Sequence, residues 1–125
     1  MKQGIFKYKD GTKKEDIKFF SKYTHQDTGG TYLQGDIVTT YENLVKVLGE
    51  PVQVNDIKTQ CEWIITFLPE KSESQVATIY DWKIGKQYLG EEGTDKEDIK
   101  YWHIGGYNKI VVDYLTSLFN QLNKN

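Results

Sequence analysis

The sequence predicts a single α+β domain: an antiparallel sheet of four to six strands with two or three packed helices. Three observations carry this. A pair of β-branched and aromatic runs at 59–68 and 76–82 reads as a hairpin. A glycine-stopped amphipathic stretch at 40–48 reads as a helix. A longer apolar stripe at 109–122 recurs at helical spacing. The 125 residues fit one domain, 1–125, with one hydrophobic core.

Along the chain, residues 4–9 alternate as a short strand that Asp10-Gly11 ends. Residues 13–23 predict a short helix with Ile17, Phe20 and Phe19 on one side. Thr24 to Gly30 reads as a polar loop, and Thr31 to Gly35 as extended chain. In the helix at 40–48, Thr39 is the expected N-cap, with Glu42 completing a capping box. Tyr41, Leu44, Val45 and Leu48 share its apolar face, Gly49 stops it and Pro51 prevents its resumption.

In the hairpin, Cys61, Trp63, Ile65 and Phe67 alternate with Glu62, Ile64 and Thr66. The polar loop 69–74 leads into the second strand, and glycines at 85, 90 and 93 interrupt a charged loop beyond it. Lys100 to Ile104 is a further strand, which Gly105-Gly106 is expected to break. Asn108 caps the last helix, whose stripe of Ile110, Val111, Tyr114, Leu115, Leu118, Phe119 and Leu122 suits a core or a dimer contact.

The net charge of −2 offers no bulk attraction to a phosphate backbone, which argues against DNA or RNA polymers as partners. One cysteine excludes an internal disulfide and fits a reducing compartment, so a cytoplasmic location is expected. No stretch has the apolar length of a signal peptide or membrane span, so no membrane partner is expected. The two histidines, His25 and His103, share no ligand spacing with Cys61, so no metal and no cofactor is expected. Neither a Gly-x-Ser-x-Gly elbow nor paired His-x-Thr/Ser motifs occur, and Cys61 reads as a buried strand residue. No catalytic residue is therefore assigned.

The candidate binding residues are those with stacking faces or polar edges. The stretch 80–93 interleaves Trp82, Lys83, Lys86 and Tyr88, where a base can stack on a ring while lysine meets a phosphate. The same stretch also reads as a solvated loop with one buried tryptophan, which composition alone favours slightly. Tyr32 and Gln34 supply a second aromatic and polar pair, or an ordinary edge strand. His103 is either a hydrogen-bond donor or general acid, or a sheet histidine. Gly105-Gly106 leads towards a helix N-terminus, which suits either an anion cradle or a plain strand-to-helix turn.

A collinear set of segments resembles a family of small phage and prophage proteins. It comprises Gly30-Thr31-Tyr32-Leu33-Gln34-Gly35, Thr39-Thr40-Tyr41, Leu48-Gly49-Glu50-Pro51 and Glu62-Trp63, then Ala77-Thr78-Ile79-Tyr80-Asp81-Trp82-Lys83, Gly85-Lys86 and Tyr88-Leu89-Gly90, and finally Trp102-His103-Ile104-Gly105-Gly106. It covers roughly residues 29 to 115. The resemblance implies a sponge of the anti-Thoeris or anti-CBASS kind, which binds a cyclic ADP-ribose isomer or cyclic oligonucleotide without cleaving it, as a homo-oligomer in the host cytoplasm. It implies stacking by Trp82 or Tyr32, phosphate contacts from Lys83, Lys86 and Lys109, and hydrogen bonds from His103 and Gln34, with Tyr88 beside them. The alternatives are a protein-binding inhibitor of a bacterial defence protein and a phosphodiesterase using His103.

Overall fold

The structure, a computed structural model, describes residues 2–22, 29–52, 59, 61–82 and 89–122. Six strands form one antiparallel sheet: β1 (Lys2–Asp10), β2 (Lys13–Lys22), β3 (Tyr32–Val38), β4 (Glu62–Pro69), β5 (Gln75–Tyr80) and β6 (Tyr101–Gly106). Their spatial order is β1-β2-β4-β5-β6-β3. Among the described residues two α-helices, α1 (Tyr41–Leu48) and α2 (Ile110–Leu122), pack on one face. The α+β class is as the sequence predicts.

Residues 13–23 are the main correction. They form β2, paired with β1 on one side and β4 on the other. Ile17 and Phe20 have helical spacing, but Ile17, Phe19 and Ser21 also alternate, and it is these three that are buried. The tight turn at Gly11, with φ +62°, folds β2 back on β1, and the ladder to β4 overrides the weak local helix preference. A glycine takes this left-handed conformation at little cost.

The second correction concerns Gly105-Gly106. Both glycines belong to β6, opposite Leu33 and Tyr32 of β3 and opposite Thr78 and Ala77 of β5. They are glycines because neighbours crowd them. A Cβ on Gly105 would lie 2.6 Å from Thr78 Oγ1, and one on Gly106 would lie 2.9 Å from Val111 Cγ2. The anion-cradle reading is thereby replaced by a packing one.

The helix α1 starts one residue later than expected. Thr40 is the N-cap, its hydroxyl accepting from the Asn43 N–H at 3.1 Å, so the expected Thr39–Glu42 box does not form. Gly49 closes the helix at φ 82°, donating to the Val45 carbonyl. Two buried tryptophans fasten α1 to the sheet. The Trp63 indole donates to the Gly49 carbonyl at 2.9 Å and the Trp102 indole to the Thr39 carbonyl at 3.2 Å. Their rings meet edge to face, 5.5 Å apart.

The stripe of α2 faces the core: Val111, Tyr114, Leu115, Leu118 and Phe119 are buried. Asn108 accepts from the Ile110 N–H, as a cap should. The helix runs alongside β3, where a Cβ on Gly35 would meet Val112 and where Thr116 and Asn120 border Asp36 to Thr39. Yet Tyr114 packs on Phe6 and Tyr8 of β1, and Gln121 hydrogen-bonds both backbone groups of Lys7. A flat six-stranded sheet would hold its edges about 24 Å apart, twice the width of a helix. The sheet therefore curls round α2.

Candidate functional site on the open sheet face

Strand alternation gives this sheet two faces of different character. One carries the core. The other, the open face, carries Lys7, Lys9, Lys14, Lys18 and Lys22 on β1 and β2, and Glu62, Tyr80, His103, Asp36 and Tyr101 towards β3. Ile64 and Thr78 are buried between these ends.

Register lines up the second group. Glu62, Tyr80, His103 and Asp36 are successive partners across β4, β5, β6 and β3. Nδ1 of His103 is 3.1 Å from Asp36 Oδ1, and the Tyr101 hydroxyl donates to Asp36 Oδ2 at 3.0 Å. An ionised carboxylate only accepts, so Nδ1 carries the hydrogen. Nε2 is then the acceptor of a neutral ring or a second donor of a charged one, and among the described residues it has no hydrogen-bond partner. The Tyr80 ring lies beside the imidazole, 5.6 Å between centroids. The hydrogen bond to Asp36 raises the Tyr101 phenol above its ordinary value, and burial does the same for Tyr80. Both stay neutral donors at physiological pH.

The arrangement is a partly exposed surface of two phenols and an imidazole, each ring held by register or hydrogen bond before anything binds. It can stack on a flat group and donate to or accept from its edge. Of these lysines, Lys22 alone is near. Two strand spacings and two residues separate Lys22 from Tyr80, about 12 Å.

Of the residues expected at the site, His103 is central to this cluster. Tyr32 is exposed at the start of β3, opposite Gly106. Gln34 sits in the irregularity between Leu33 and Gly35, where its amide donates to the Gly106 carbonyl at 2.9 Å. Lys109 is exposed just before α2. Tyr32 and Gln34 lie at the Gly106 end of β6, about 10 Å of strand from His103, and Lys109 follows Gly106 by three residues. Trp82, 40% exposed, leaves β5 at the opposite end, beyond Tyr80. The structure thus does not collect the expected set into one place. Lys83, Lys86 and Tyr88 lie outside the described residues.

Asp36, Tyr80 and Tyr101 were not expected. Tyr101 and His103 alternate on one strand, which signals a shared face, but Asp36 joins them only through the β3–β6 register. Cys61 is buried in the core, its thiol pushed up to about 12, chiefly by burial. Among the described residues no cluster of His, Cys, Asp or Glu could hold a metal ion, and no helix is long and apolar enough to cross a membrane. No protein-family model, curated protein or solved structure matches the chain.

Proposed function

We propose that this protein binds a cyclic nucleotide signal and sequesters it uncleaved, in the manner of the phage sponges its motifs resemble. The observation that carries the reading is the preorganised row of Tyr80, His103 and Asp36, with Tyr101, on the same sheet face as a set of lysines. Rings to stack on, a histidine nitrogen for a base edge and one cation, Lys22, about 12 Å away match the parts of a nucleotide. Stacking one base contributes about 1–3 kcal/mol.

A second reading rests on one contact. Asp36 orients His103 as a carboxylate orients a general base, which favours a phosphodiesterase of the same signals. Binding is preferred because the Asp36 carboxylate is engaged by His103 and Tyr101, the Tyr80 and Tyr101 phenols stay protonated, and the cysteine thiol is buried and protonated.

The test is a thermal-shift panel of cyclic dinucleotides, cyclic trinucleotides and cyclic ADP-ribose isomers. A ligand at 100 times its Kd stabilises by about 2.7 kcal/mol. The bound nucleotide is then recovered by heating. A shift with intact recovery supports sequestration, and a shift with altered nucleotide supports the enzyme. No shift across the panel would transfer the open face to a protein partner.

A further inference from the structure

The two edges of the sheet are treated differently. On β1 the outward N–H and carbonyl of Lys7 are both taken by the Gln121 side chain, which occupies the place of a neighbouring strand. Lys2, Lys7 and Lys9 add charge along that edge. Side-chain blocking and lysine are the usual ways a protein prevents an edge from pairing.

The β3 edge has neither protection. Its sequence, Tyr32-Leu33-Gln34-Gly35-Asp36-Ile37-Val38, holds no basic residue, and Val38 is 75% exposed and Leu33 58%. The Thr39 N–H donates to the Lys100 carbonyl, which makes that pair a hydrogen-bonded one. Alternation then gives Ile37 the same inward geometry and turns the N–H and carbonyl of Asp36 and Val38 outward. Among the described residues nothing pairs with them. Beside this edge, on the helix side, runs a groove of about 280 Å³ lined by Asp36 to Thr39, Thr116, Phe119 and Asn120.

We infer that β3 pairs antiparallel with β3 of a second copy of this chain, about a twofold axis at Ile37. That register sets Asp36 opposite the second copy's Val38 and Val38 opposite its Asp36. All the outward groups of both residues are then used, in four hydrogen bonds. The register centred on Asp36 would instead oppose two carboxylates, which is unfavourable. Ile37 of each copy points to the helix side, where the groove lies. On the open face the row continues from His103 and Asp36 into Val38 and Tyr101 of the other copy, covering the most exposed apolar side chain of the strand. The inference does not require the nucleotide reading, since its assay contains no ligand.

Light scattering on the full chain at tens of micromolar should give twice the 14.5 kDa chain mass. Val38→Pro removes an outward N–H without touching the β6 ladder, and Val38→Asp sets a carboxylate against the other copy's Asp36. Both should give the single-chain mass with an unchanged far-ultraviolet dichroism spectrum, or a dimer Kd raised at least tenfold. Should Val38→Pro misfold, Val38→Asp, which keeps the N–H, decides. Ile37→Cys should oxidise to a covalent dimer, whereas Lys7→Cys on the blocked edge should not. A wild-type mass of one chain, or folded Val38 variants that dimerise as the wild type does, would overturn the inference.

Discussion

Alanine at Gly105 adds one methyl group at a place where the sheet has no room for it. The new Cβ would stand 2.6 Å from Thr78 Oγ1, 3.4 Å from Tyr80 Cε1 and 3.7 Å from the Tyr32 carbonyl oxygen. The first distance is inside any real contact; the other two are ordinary. Thr78 is 3% exposed and β-branched, so its hydroxyl has little freedom to move aside. Overpacking of this kind costs about 1–3 kcal/mol. Gly105 is not among the glycines at positive φ, so alanine adds no backbone strain, and a stiffer unfolded chain returns about 0.4–1 kcal/mol. The net loss is about 1–2 kcal/mol, a fall in Tm of about 4–8 °C for a chain of this size. Thr78→Ala removes the obstructing oxygen, so Gly105→Ala in that background should cost almost nothing. Chemical denaturation of the two single variants and the double variant measures the coupling, expected to be at least about 1 kcal/mol. Additive losses would refute the contact, and with it the packing explanation for Gly105.

Three further outcomes follow from other parts of the molecule. Gln121→Ala should cost about 1 kcal/mol for two exposed hydrogen bonds, and it should also open the β1 edge, visible as concentration-dependent light scattering. Thr40→Ala should lower stability by about 1 kcal/mol in urea, whereas Thr39→Ala, which leaves the Trp102 bond to the backbone intact, should change little. The Cys61 thiol should resist an aromatic disulfide reagent at pH 8 and react fully in guanidinium. Its pKa is raised on folding, so its contribution is complete below the ordinary value of 9.0 and is lost as pH climbs towards about 12. Alkaline stability should therefore fall less steeply in Cys61→Ala.

The sequence made some elements plain and hid others for physical reasons. The hairpin of β4 and β5 was legible because both faces of each run were sorted by alternation, and α2 because its stripe was long. The strand β2 was misread because Ile17, Phe19 and Phe20 satisfy either period, and only its neighbours decide between them. Gly105-Gly106 looked like a break because crowding by Thr78 and Val111 is a tertiary fact. His103 stood out in the sequence, but its partner Asp36 is 67 residues away and had no motif to announce it. Tyr32 and Trp82 were grouped by chemistry alone, and register places them at opposite ends of the sheet.

The most direct test of the central claim is a backbone amide NMR titration of the protein with the same cyclic nucleotide panel. The account predicts that one member perturbs Asp36, Thr78 to Tyr80 and Tyr101 to Gly105 together, in a saturable way that Tyr80→Ala weakens. Perturbation confined to other residues, or none with any member, would contradict it.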